Sequence, residues 1–337
     1  MERSRFYPKY FTPVLAATLV SLMLCVIASL VFGARSLTLQ EVMDSFMQRH
    51  PDSIAASIFQ KRLIRTVFGL CCGAALGIAG VLMQSVTRNP IADPSILGVN
   101  TGAALFVVCG MAYFHISAAE QYIWFALSGA MVTAVFVFGI GSMGRGGATP
   151  LKLVLAGAAT SAALSSLVTA VMIPRSYVMN QFRFWQVGSV GAGTWDSILL
   201  LLPFLAAGAL IAVFVAPALN ALALGDEAAK GLGVKTGVLR LVAAFAGVVL
   251  CGATTAVAGP IGFVGLLATH VIRLILGPDL RFLIPMSALS GAIILIVSDV
   301  VGRWIGSPGE LEVGVVTAFI GAPILIILAM KAKVRSI

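Results

Sequence analysis

The sequence predicts an all-α, polytopic membrane protein of about ten transmembrane helices, and three observations carry that reading. Of 337 residues, 59% are hydrophobic and only 10% are charged, and mean hydropathy is +1.03. A soluble chain carries roughly 25% charged residues, so these charges are too few to clothe a large apolar core in water. The apolar residues also fall in long unbroken runs. A helix needs about 20 such residues to cross the hydrocarbon, and it satisfies its own backbone groups there. The residue-by-residue alternation of an outer-membrane strand is absent.

Between charges and turn residues the runs lie near 13–33, 66–86, 95–114, 121–142, 151–173, 197–217, 238–257, 260–277, 282–302 and 313–330. The first follows a basic start (Arg3, Arg5, Lys9) like that of a signal peptide. Its apolar stretch, Pro13 to Phe32, is longer than a signal core and lacks a convincing cleavage site, so it reads as a membrane helix. The eighth is the least regular, because Pro260 and Gly262 open it and His270 and Arg273 lie inside it. Ten spans put both termini on one side. Cytoplasmic termini place 14 Lys and Arg inside and 8 outside, the bias the positive-inside rule expects, although the first outer loop is unusually basic.

Gly80-Val-Leu-Met-Gln-Ser-Val-Thr-Arg88 aligns with Gly265-Leu-Leu-Ala-Thr-His-Val-Ile-Arg273. An acid follows each copy (Asp93, Asp279), and then a Gly-Ala pair (Gly102-Ala103, Gly291-Ala292). Counted as five spans apart, the copies imply an inverted repeat within one transmembrane domain, with halves 1–190 and 191–337.

Several function classes fall away. The formal net charge is +9, but the basic residues are dispersed among apolar runs, which fits topology-setting loops and not nucleic-acid binding. Cys25, Cys71, Cys72, Cys109 and Cys251 lie within apolar segments without metal-ligand spacing, and read as packing residues. His50, His115 and His270 are far apart, and no His-Glu-x-x-His helix exists. Gly233-Val-Lys-Thr236 lacks the spacing of a phosphate loop, so no ATP site of that kind is expected. No catalytic constellation and no metal site emerges.

Asp299 is the acid placed deep in an apolar span, and Arg303 one turn on supplies an i,i+4 partner. Three loops carry more. In 222–234, Asp226 and Glu227 suit the first turn of a short helix and Gly231 or Gly233 its end; it is either a seat for another protein or an ordinary connector. In 84–94, Asn89-Pro90 marks a turn. Arg62 and Arg65 stand at the start of the second span, as headgroup anchors or as a contact surface.

Longer motifs then point to a family. Gly77-Ile-Ala-Gly-Val-Leu-Met-Gln, Arg88-Asn-Pro-Ile-Ala-Asp-Pro-Ser-Ile-Leu-Gly-Val and Thr101-Gly-Ala103 resemble the permeases that import ferric siderophores, haem and cobalamin. So do Phe184-Trp-Gln-Val-Gly-Ser189, the 222–234 loop, Gly259-Pro-Ile-Gly-Phe-Val-Gly-Leu266 and Gly314-Val-Val-Thr-Ala-Phe-Ile-Gly-Ala-Pro323, in order over nearly the whole chain.

The resemblance implies the permease subunit of a type II ATP-binding-cassette (ABC) importer in a bacterial cytoplasmic membrane. Partners would be a second permease, two ATPase subunits and an extracytoplasmic binding protein; ATP and Mg would bind the ATPase, with no cofactor in this chain. Leu222, Gly225, Asp226, Glu227, Ala228, Ala229, Gly231, Leu232 and Gly233 would form the coupling helix seated on the ATPase. Asn89, Pro90 and Ile91, with Ala148 and Thr149, would form the cytoplasmic gate. Arg62, Arg65 and Arg303 would receive acidic residues of the binding protein, as charge-assisted Arg–carboxylate pairing allows. Ile64, Thr269 and Glu312 stand where the family pattern has proline, so local backbone geometry there is expected to differ. The competing reading is a gradient-driven secondary transporter built on inverted repeats.

Overall fold

The computed structural model describes residues 7–143 and 150–331. Its helices are α1 (Tyr7–Val31), α2 (Leu39–Phe46), α3 (Ile54–Thr87), α4 (Val99–Tyr113), α5 (Ala119–Ser142), α6 (Pro150–Met172), α7 (Ser176–Gln186), α8 (Trp195–Ala223), α9 (Asp226–Gly231), α10 (Thr236–Ala258), α11 (Val264–Leu276), α12 (Leu280–Ile305) and α13 (Val313–Lys331), with a short 3-10 turn at Pro94–Leu97. No strand occurs among the described residues. Every expected span coincides with a helix. Among the described residues, seven helices are long and apolar enough to cross a membrane; α4, α11 and residues 313–327 of α13 are shorter apolar helices.

The short segments have local causes. Thr38 and Glu41 close a capping box on α2, which satisfies two otherwise unpaired amides. Ser53 caps α3 through the Ala56 amide, and Thr194 caps α8 through that of Ser197. Gly259 (φ +73) and Phe263 (φ +68) break the chain between α10 and α11. The expected span at 260–277 therefore shrinks to 13 residues, about 20 Å of helix.

Helix α3 is the hub. One face carries Gly73, Gly77 and Gly80, and an added Cβ there would stand 2.5 Å from Gly291 O, 2.1 Å from Ser287 O and 2.5 Å from Gly265 O. Backbones of α3, α12 and α11 thus touch directly, the close approach that small residues permit in membrane bundles. Around this centre α1, α6 and α8 leave large apolar side chains uncovered, including Met23, Leu167 and Phe214. They face lipid or another protein, the surface a membrane bundle presents outward.

The glycine contacts correct the repeat. Gly80 lies on the second span and Gly265 on the eighth, which is six spans apart and not five. The C-terminus of α11 leads directly into the N-terminus of α12, which runs antiparallel to α3 by the Gly73–Gly291 and Gly77–Ser287 contacts. Hence α3 and α11 run the same way, and this motif pair is parallel, not inverted.

Candidate functional site

Two polar clusters mark opposite ends of the bundle. At the first end, Arg62 and Arg65 lie inside α3, because that helix begins at Ile54 and not near 66. Ile64 keeps the helix continuous where a proline would remove an amide donor. Buried Arg62 donates from Nη1 to Leu30 O and Val31 O at 2.9 and 2.8 Å, and from Nη2 to Arg35 O. Arg303, 2% exposed, donates to Ser29 O, Phe32 O and Ser29 Oγ at 3.1, 2.9 and 2.9 Å. Ser29 O, Leu30 O and Val31 O belong to the last turn of α1, which has no following turn to bond; Phe32 O and Arg35 O follow it, and Val31 O also accepts the Leu37 amide at 3.0 Å. Both arginines therefore cap α1 and complement the negative end of its dipole.

Asp299 lies between them. Arg65 donates from Nε to both carboxylate oxygens at 2.9 and 3.1 Å, and from Nη2 to Oδ1 at 2.6 Å. Arg303 Nε stands 3.1 Å from Asp299 Oδ2, so the expected i,i+4 pair is present but shares its acid. The remaining nitrogen of Arg65, Nη1, donates to Glu310 Oε2 at 2.5 Å. The Asp299 side chain is 4% exposed and that of Glu310 44%. A cleft of about 400 Å³ opens here, lined by Arg35, Lys61, Arg62, Arg65, Arg303 and Glu310 among others. The structure thus brings the three predicted arginines together, with Arg62 and Arg303 bonded to backbone carbonyls and Arg65 bonded to two carboxylates, one of them at the cleft.

At the other end, α9 forms where the acid pair and glycines predict it. Gly225 adopts φ +123 to start it, a conformation that favours glycine. Asp226 accepts from Arg88 Nη2 at 2.5 Å and from Arg240 Nη2 at 2.8 and 3.1 Å. Arg88 Nη2 also donates to Leu222 O at 2.6 Å. Arg88 is the left-handed C-cap of α3 (φ +52) and directly precedes Asn89, whose Oδ1 accepts the Ile91 amide at 3.1 Å. The short helix and the Asn89-Pro90-Ile91 turn, predicted separately, are therefore joined by one ion-paired carboxylate. Next to them, burial pushes the Asp93 carboxyl above its ordinary range, and bonds from Ser95 pull it back.

Not all of the predicted coupling residues face outward. Leu222 and Ala229 are buried in the chain. Glu227, Ala228, Gly231, Leu232 and Gly233 are exposed, and nothing lies within 4 Å of a Cβ added at Gly225, Gly231 or Gly233. Leu224 and Leu232 stand 72% and 65% exposed beside them. Ala148 and Thr149 lie outside the described residues. Leu224, Arg88, Arg240 and Glu310 are not among the site residues expected from the sequence, although Leu224 flanks the acid pair and Arg88 stands at the head of a family motif.

Between the two ends a cavity of about 750 Å³ lies among α4, α6, α7, α13 and the start of α11. Asn100, Phe182, Gln186, Phe263 and Phe319 are in its wall. Asn100 Oδ1 accepts from Thr255 Oγ1 at 3.0 Å, and a Cβ at Gly321 would strike the Phe263 ring at 2.4 Å, so α13 carries glycine where that ring passes. Thr269, one of the missing prolines, is a buried helical residue of α11, and Glu312 ends the loop before α13. No cluster of metal-ligating side chains occurs among the described residues.

This architecture matches a solved chain whose description assigns it to the metal-chelate type of ABC transporter in an inward-facing conformation. The TM-score is 0.80 at 29% identity, covering 96% of this chain and 99% of that one. The molecule is a multi-pass membrane permease of the ABC-transporter class. It belongs to the FecCD transport family, whose model matches residues 21–331. Among its relatives, the ferric enterobactin transport system permease protein FepD of Escherichia coli (strain K12) is 41% identical over 93% of each chain. YfiZ of Bacillus subtilis (strain 168), described as a probable siderophore transport system permease protein, is 39% identical over 94% of this chain and 96% of its own.

Proposed function

We propose that this chain is the membrane-spanning permease of a type II ABC importer that carries a ferric siderophore, or a related chelate such as haem or cobalamin, across the cytoplasmic membrane. It works with a second permease subunit, two ATPase subunits that bind ATP and Mg, and an extracytoplasmic binding protein. The cargo class is supported by the relatives named for siderophore and ferric enterobactin transport. The large cavity, lined by apolar and uncharged polar residues, suits a bulky chelate.

The observation that carries the mechanism is the Asp226 link. An exposed short helix with an apolar surface is tied by one carboxylate to the cap of α3, and so to the Asn89–Ile91 turn. A push on α9 from a docked ATPase would move that turn directly. Arg88, Lys230, Lys235, Arg240 and Arg281 gather at this end, which supports placing it, and both termini, in the cytoplasm. The opposite end, with Arg65 in its cationic cleft, then faces the binding protein. Asp299 is held by Arg65 and Arg303, so it offers little as the ion-binding acid of a gradient-driven carrier.

A cysteine replacing Ala228 is expected to cross-link to the ATPase subunit, and D226N to keep that cross-link while cutting ATP-driven uptake at least about fivefold. Labelling of residue 228 only from the extracytoplasmic side, or unchanged uptake in D226N, would remove the coupling role.

A further inference from the structure

The cleft at the arginine end contains a feature that docking by itself does not account for: Arg65 is already occupied on its outward side by an acid of its own chain. The guanidinium is divided. Its Nε–Nη2 edge is held by buried Asp299 through three bonds, while Nη1 points to the cleft and holds Glu310. Gly191 borders the same nitrogen, where a Cβ would stand 3.2 Å from it, so the approach to Nη1 carries no side chain on that flank.

Resting on the reading that this end receives an acidic partner, we propose that Glu310 is an internal stand-in for the docking carboxylate. An acidic side chain of the binding protein takes its place on Arg65 Nη1, and Glu310 is released to solvent.

Three features make the exchange physically favourable. The cleft is lined by Arg35, Lys61, Arg62, Arg65 and Arg303 against Glu310, with Asp299 beneath. Cations outnumber acids there, so an incoming carboxylate is attracted even before Glu310 leaves. Glu310 is nearly half exposed and Asp299 is not, so Glu310 gives up its partner at small desolvation cost. Asp299 would leave an uncompensated buried charge and so stays.

The consequence lies in what Glu310 tethers. It sits in the 306–312 loop between α12 and α13, where the Leu311 amide bonds Gly302 O at 3.2 Å and the Gly314 amide bonds Gly188 O at 3.0 Å. Gly314, Val315, Ala318 and Phe319 at the head of α13 are cavity wall. Exchange at Arg65 therefore removes the side-chain tether of a loop that leads into one wall of the cavity, leaving its backbone bonds as pivots, and docking on the surface is converted into a change at the path.

The assembled importer in nanodiscs, titrated with its purified, chelate-loaded binding protein, tests this. E310Q is expected to tighten docking about fivefold and to raise ATPase activity in the absence of binding protein; E310D is expected to behave as wild type. R65Q is expected to weaken docking and to abolish the gain from E310Q. Where R65Q fails to fold, R65K replaces it, keeping a charge beside Asp299 but losing the second nitrogen. Unchanged or weaker docking in E310Q, with R65Q or R65K weakened, would overturn the exchange while leaving the docking face in place. Docking indifferent to both Arg65 variants would overturn the docking reading itself, and the exchange with it.

Discussion

Replacing Asp299 by alanine is expected to cost about 3–5 kcal/mol of stability, because it strands two arginines that one buried carboxylate now neutralises. Arg65 gives that carboxylate three hydrogen bonds and Arg303 lies 3.1 Å away. Arg303 is only 2% exposed, so water replaces the acid poorly. The α1 cap should loosen with it, since the same arginine holds Ser29 O and Phe32 O. Thermal unfolding of the purified protein in detergent reads the effect. The half-exposed Glu310 provides the contrast: its pair with Arg65 is worth about 1 kcal/mol or less to the fold. A loss in D299A no larger than that in E310Q would contradict the clasp.

An expected loss of comparable size follows from G77L. The first atom of any side chain there would stand 2.1 Å from Ser287 O, a backbone atom on the facing helix. Side-chain tips can rotate aside, but two helix backbones in a packed bundle cannot. Overpacking within a core commonly costs about 1–3 kcal/mol, and separating α3 from α12 along the glycine face should exceed that range. Against a total stability of about 5–15 kcal/mol, most of the folded protein should be lost from the membrane fraction. G139A makes the control: nothing lies within 4 Å of its added Cβ, and a change within about 1 kcal/mol is expected. Equal yields of the two variants would mean that α3 and α12 are not in backbone contact.

The ten spans are legible in the sequence because lipid imposes a length and composition that a hydropathy window detects. The start of α3 is not. Lys61, Arg62 and Arg65 lower the local hydropathy and read as loop, yet α3 runs from Ile54 through all three. The acceptors that take up these charges, backbone carbonyls at and after the end of α1 for Arg62 and the Asp299 and Glu310 carboxylates for Arg65, come together only in three dimensions. Asp299 illustrates the same limit. Its i,i+4 partner could be read from spacing, but Arg65, the better-bonded partner, is 234 residues away in the chain. Helix α9 was legible because an acid pair and flanking glycines are local signals. Its orientation, with Ala229 buried and Ala228 outward, was not, because on so short a helix the sequence carries no periodicity. The glycine motifs were recognised as similar, but their similarity reflects a shared need for close backbone contact: Gly80 and Gly265 pack against each other, and parallel neighbours satisfy that need as well as inverted ones.

The proposed function has two polar ends acting on one cavity, and transport reads that coupling most directly. Vesicles containing the permease and its ATPase, given ATP on the ATPase side and chelate-loaded binding protein on the other, should accumulate iron chelate after ionophores have collapsed the proton and sodium gradients. Accumulation that needs a gradient, and proceeds without ATP or binding protein, would contradict the account.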